Sequence, residues 1–116
     1  MNSLGKAAEA RAGDYLIKNG YTLLDVNYKT RFGEIDLIAN NNTYIIFCEV
    51  KMRDKSSIAS PREFVDKSKQ NKIIACAKMY LSVNPTNLQP RFDVIEVICH
   101  NNRIKSVKHL ENAFTL

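Results

Sequence analysis

Two alternating stretches joined by a run of turn residues constrain this chain most. Glu34 to Ala39 and Tyr44 to Arg53 are rich in β-formers and flank Asn40-Asn41-Asn42-Thr43, which has the composition of a turn. They read as an antiparallel hairpin. Strand side chains alternate faces, so Glu34, Asp36 and Ile38 share one side of their strand. In the next strand Ile45, Phe47, Glu49, Lys51 and Arg53 share a side, with Tyr44, Ile46, Cys48, Val50 and Met52 opposite. With residues 40–43 as the turn, Ala39 pairs with Tyr44. Asp36 and Glu49 then become diagonal neighbours about 7–8 Å apart at the backbone.

Acids on the side that carries Ile38, Ile45 and Phe47 repel one another and lose hydration. A divalent cation offsets both costs. Lys51, from the same face, can orient an attacking water or stabilise charge on a phosphate. The same alternation also fits a solvent-facing side on which Glu49 and Lys51 form a surface ion pair of little energetic weight. The pattern alone leaves both readings open.

Around the hairpin the chain reads as one mixed domain. A helix is expected from Leu4 to Lys18, capped by Ser3 and stopped by Asn19-Gly20. Tyr21 to Thr30 reads as a strand. After a polar loop over 54–59, Ser60-Pro61-Arg62-Glu63 predicts a second helix running to about Val83, with Ser60 as cap, Pro61 in the first turn and Glu63 closing a capping box. Arg91 to Cys99 is a further strand, Asn101-Asn102 a turn, and Ile104 to His109 a short last strand. The order is α-β-β-β-α-β-β, an α/β domain over residues 1–116 with a small mixed central sheet flanked by helices.

The length of 116 residues suits a single core. No apolar run is long enough to span a bilayer and no secretory signal is visible, which predicts a soluble cytoplasmic protein without a membrane partner. Cys48, Cys76 and Cys99 form no CxxC pair and are expected to be reduced and packed; they and the two histidines lack zinc-ligand spacing. The net charge of +5 favours a polyanionic partner, nucleic acid first. Lys67, Lys69 and Lys72 crowd the start of the second helix, and Arg31 and Arg53 flank the hairpin; each group fits either a phosphate-tracking surface or a solvated charged face. Gln70 falls at helical spacing with Ile73, Ala77 and Leu81, so it faces the core and needs a partner, either backbone or a bound phosphate.

The segments Gly33-Glu34-Ile35-Asp36-Leu37-Ile38 and Phe47-Cys48-Glu49-Val50-Lys51 resemble the D…(D/E)-x-K signature of restriction-endonuclease-like nucleases. More narrowly, the chain resembles the YraN-like family of small bacterial proteins, distant relatives of archaeal Holliday junction resolvases. The likeness extends through Glu9, Asn27-Tyr28, Val65-Asp66, Lys69-Gln70, Arg91-Phe92-Asp93-Val94 and Asn112-Ala113-Phe114. Ile35 stands where the broader superfamily often has proline, and Ala8 where a glycine is expected before Glu9.

The resemblance implies a restriction-endonuclease-like fold. It also implies that Asp36, Glu49 and the Val50 carbonyl ligate Mg²⁺ or Mn²⁺ and that Lys51 is catalytic. Glu9 and Gln70 are implied as accessory catalytic residues, near a water and the phosphate respectively. The expected function is metal-dependent endonuclease cleavage of DNA phosphodiester bonds, branched or structured DNA included. The rival is a nucleic-acid-binding module of a DNA-processing complex without catalysis of its own. RNA ranks below DNA because no aromatic RNA-stacking motif is visible. A homodimer placing two sites on a branched substrate fits a domain of this size.

Overall fold

A computed structural model describes residues 3–56 and 65–115. Helix α1 (Ser3–Lys18) leads into strands β1 (Thr22–Thr30), β2 (Gly33–Asn40) and β3 (Tyr44–Asp54). Helix α2 (Lys67–Val83) then crosses to β4 (Gln89–His100) and β5 (Arg103–Phe114). The expected element order is the observed one. The five strands form one sheet in the order β1-β2-β3-β4-β5. Three neighbouring pairs are antiparallel and β3 with β4 is parallel, so the sheet is mixed. A parallel pair needs a long crossover, and α2 supplies it.

Alternation decides where the core sits. Ile38, Ile45, Phe47, Phe92 and Val94 pack with Ile73, Cys76, Ala77 and Tyr80 of α2. Leu37, Ala39, Ile46, Cys48, Ile95 and Val97 pack with Ala8, Ala12 and Leu16 of α1. The sheet therefore carries one helix on each face. All three cysteines are buried and unpaired, as their apolar neighbours suggested. Among the described residues no helix is long and apolar enough to cross a membrane.

Three local expectations change. The hairpin turn is shorter than four residues: Asn41 N–H donates to the Tyr44 carbonyl (3.0 Å). The Asn41 Oδ1 accepts from the Thr43 and Tyr44 amides at 2.9 and 2.7 Å. This side-chain closure moves the register by two residues, so that Asn40 pairs with Ile45 and Leu37 with Cys48. A two-residue shift keeps every side chain on its face.

Helix α2 begins at Lys67, not at Ser60. Its N-cap is Asp66, in an extended conformation, whose carboxylate accepts from the Lys69 amide at 2.8 Å. That bond satisfies an otherwise orphaned donor, and the negative charge suits the helix N-terminus. Ser60, Pro61 and Glu63, the expected cap residues, lie outside the described residues.

Strand β5 runs to Phe114, beyond the expected His109. Its register shifts between Phe92 and Val94, where Asn112 adopts a positive φ of 54°. The bulge hides the alternation, and Phe114 stacks on Phe92 at 5.1 Å beyond it.

Candidate active site

The ladder between β2 and β3 stops at Leu37 and Cys48. Continued one step, that register sets Asp36 opposite Glu49 rather than diagonal to it, and the two carboxyls lie within hydrogen-bond reach of each other. There the Asp36 side chain takes over from the backbone: its Oδ2 accepts from the Val50 amide at 2.8 Å. Both carboxylates point toward α2, beside the apolar cluster of Ile38, Ile45 and Phe47. Asp36 is 8% exposed and Glu49 5%, which rules out the solvent-facing reading of this strand face.

Burial and the charge of Glu49 push the Asp36 pKa up to about 7, with a hydrogen bond between the two carboxyls adding to the rise and the Val50 amide opposing it. The rise is the response expected of a carboxyl buried beside a like charge.

Two lysines reach the pair. Lys51 Nζ lies 3.8 Å from Glu49 Oε1, and Lys69 Nζ lies 3.1 Å from the same oxygen. Burial pulls the Lys51 pKa below that of a free lysine, Glu49 opposes this, and the nearby Lys69 ammonium lowers it further. For Lys69 the downward pull of burial is outweighed by the charge and hydrogen bond of Glu49, so its pKa ends above the ordinary value. The sequence marked Lys69 for nucleic acid; the structure brings its side chain to the acidic pair.

These groups open into a cleft of about 440 Å³ between the sheet and the start of α2, lined by Glu34, Asp36, Glu49, Asp66, Ser68, Lys69, Lys72 and Ile73. Gly33 enters β2 with φ +142°, a conformation that suits glycine, and a Cβ there would meet the Cβ of Lys72 at 3.7 Å.

The other candidates fall elsewhere. Glu9 accepts from Asn27 Nδ2 at 3.2 Å and lines a separate groove between α1 and β1. Gln70 donates from Nε2 to the Val65 carbonyl at 3.0 Å, the backbone alternative for this residue, and so fixes the start of α2. Lys67 is exposed at the first position of α2. The Arg31 guanidinium rests over the Phe32 ring at 5.0 Å. Arg53 Nε lies 3.0 Å from Glu96 Oε2.

Glu96 is the residue that sequence reasoning missed. It is 0% exposed, lies opposite Lys51 in the parallel register, and shares its strand parity with Phe92 and Val94. An acid inside that apolar stripe was the available signal. Asp93, on the other face, belongs to a different group. It accepts from Arg91 Nε and Nη2 at 2.9 and 2.8 Å and from the Asn112 amide at 3.0 Å, and lies 2.7 Å from His109 Nε2. Tyr15 Oη reaches His109 Nδ1 at 3.1 Å. The Arg91–Asp93 salt bridge lies at the centre of this group, which ties β4, β5 and α1 together.

Among the described residues no group of three or more His, Cys, Asp or Glu side chains is gathered to hold a metal. A cation at the acidic pair would rest on Asp36 and Glu49, with remaining oxygens from backbone, water or phosphate; hard oxygen donors suit Mg²⁺ or Mn²⁺.

Comparison with known proteins places the chain. A family model described as "Uncharacterised protein family UPF0102" matches residues 8–97. The chain belongs to the UPF0102 family. A UPF0102 protein of Caldanaerobacter subterraneus is 43% identical over 115 residues, covering 97% of this chain and 94% of the relative. Those of Clostridium tetani and Clostridium acetobutylicum are 43% and 44% identical over 122 residues, end to end in both. The matched UPF0102 span contains α1 from Ala8 onward, the acidic hairpin, α2 and most of β4.

Proposed function

We propose that this protein is a metal-dependent endonuclease of the restriction-endonuclease-like superfamily, acting on DNA. The observation that carries the reading is that Asp36 and Glu49 are both buried and within hydrogen-bond reach of each other on one hairpin face, with the Lys51 ammonium 3.8 Å from Glu49. The two carboxylates have little reason to be held together, away from water, unless a cation offsets their repulsion.

In this reading Asp36 and Glu49 hold Mg²⁺ or Mn²⁺, which supplies Lewis-acid polarisation of a phosphoryl oxygen. Lys51 has a lowered proton affinity and a fixed place on the central strand. It hydrogen-bonds the non-bridging phosphate oxygen and stabilises its growing charge. The cleft walls at Ser68 and Lys72 receive the flanking backbone phosphates.

The test is incubation of branched, single-stranded and duplex DNA with Mg²⁺ or Mn²⁺, alongside Asp36→Ala and Lys51→Ala. Each substitution is expected to lower the cleavage rate at least about 100-fold, the scale of losing one transition-state donor. Cleavage that survives both refutes the assignment. DNA binding without cleavage under every condition selects the binding-module alternative.

A further inference from the structure

Glu49 Oε1 is asked to satisfy two ammonium groups at once, Lys51 at 3.8 Å and Lys69 at 3.1 Å. We propose that Lys69 is an internal counter-cation of the acidic pair, displaced from Glu49 by a bound divalent cation and handed over to a backbone phosphate of the substrate. The inference rests on the reading of Asp36 and Glu49 as a cation site.

Three observations single out Lys69 as the group that moves. First, it makes the shorter contact, and so occupies space against the carboxylate that an incoming cation would need. Second, its side chain is 42% exposed, against 23% for Lys51. Lys51 projects from β3 where it pairs with β4, opposite Glu96, whereas Lys69 lines the open cleft. Third, the Lys69 backbone is anchored by the hydrogen bond its amide donates to the Asp66 carboxylate, so the exchange needs only side-chain rotation.

A divalent ion beside Glu49 would leave three cationic centres around one carboxylate, and the repulsion expels the most mobile of them. The cleft beside Lys69 is walled by Ser68 and Lys72. An ammonium leaving Glu49 therefore moves toward the surface that would carry phosphate. Without a cation, Lys69 is neutralised and offers nucleic acid nothing; with a cation, it becomes a phosphate ligand.

The test has two arms. Mn²⁺ is titrated by calorimetry into the wild-type chain, Lys69→Met, Lys69→Gln and Lys78→Met. Lys78 is an exposed lysine elsewhere on α2 and controls for net charge. Both Lys69 variants are expected to bind Mn²⁺ about two- to fivefold more tightly than wild type, the scale of one removed partly exposed ion pair, and Lys78→Met as wild type does. Duplex DNA binding is then measured against salt, in Ca²⁺ and in EDTA. In Ca²⁺ the slope of log K on log salt should be about 0.9 shallower for Lys69→Met than for wild type, one phosphate contact, and equal to it in EDTA.

If the wild type binds Mn²⁺ and the Lys69 variants bind it no more tightly, the counter-cation role is overturned while the cation site stands. Equal salt slopes in Ca²⁺ overturn the hand-over to phosphate. A wild type that takes up no Mn²⁺, with or without DNA, overturns both the inference and the site on which it rests.

Discussion

Replacing Asp36 by asparagine removes a charge while keeping the side chain's shape and its acceptor for the Val50 amide. The Asp36 pKa rises from 3.8 to about 7 in the folded chain, through burial first and Glu49 second. Each tenfold change in proton affinity is about 1.4 kcal/mol, so the full rise is worth about 4 kcal/mol. A group whose folded pKa is raised stabilises the fold fully below its unfolded pKa and loses that contribution as pH rises through the folded value. The wild type should therefore lose about 2–3 kcal/mol of stability from this group between pH 5 and pH 8, with the loss levelling off above that.

Asp36→Asn does not titrate and lacks this loss. At pH 8 it should be more stable than wild type by about 2–3 kcal/mol relative to the difference at pH 5. Urea unfolding of both proteins at pH 5, 6, 7 and 8 in EDTA measures this, because all other titrating groups are common to the pair. Parallel stability–pH curves would refute the claim that Asp36 is destabilised by burial beside Glu49.

Two further perturbations test the scaffold. Asp66→Ala removes the cap on the Lys69 amide and should cost about 1 kcal/mol in urea unfolding; no change would mean that the helix start is held by Gln70 alone. Asp93→Asn leaves buried Arg91 with only the exposed Glu111, at 3.7 Å, as countercharge and should cost about 3 kcal/mol at pH 7. Burial pushes the Asp93 pKa up, but hydrogen bonds from His109 and Arg91 outweigh it and hold it below the ordinary value. Its stabilising contribution is thus present above about pH 4 and lost as pH falls through the depressed folded value. The variant should show a flatter acid limb than wild type between pH 5 and 2.

The element order and the shared face of Asp36, Glu49 and Lys51 were legible because both depend on periodicity, and period-2 parity survives an error of two residues. The register was not legible: an asparagine side chain closing its own turn, as Asn41 does, outweighs the count of turn-forming residues. The start of α2 was not legible either, since a serine and an aspartate six residues apart are both good caps and only the structure shows Asp66 capping Lys67–Val83. Lys69, Gln70 and Glu9 share one lesson. Sequence spacing puts a polar side chain on a helix face, but only packing decides which partner it meets. Lys69 meets Glu49, Gln70 meets the Val65 carbonyl, and Glu9 meets Asn27. Glu96 was legible in principle, as an acid in the alternating stripe of Phe92 and Val94, but its partner Arg53 was not.

The parallel seam between β3 and β4 divides the chain into two locally wired halves. On one side the β1–β2–β3 meander forms through near-neighbour contacts, and on the other the β4–β5 hairpin does the same. Local pairings form early, while a seam that must first close a long loop comes late. Asp36 and Glu49 lie wholly in the first half; Lys69 belongs to the crossover and Glu96 to the second. Within the first half the two acids have Lys51 beside them, whereas Lys69 and Glu96 reach the site only across the crossover and the parallel seam. The full set of charges around Glu49 is therefore assembled from both sides of the seam, and the site is complete only when the crossover is in place.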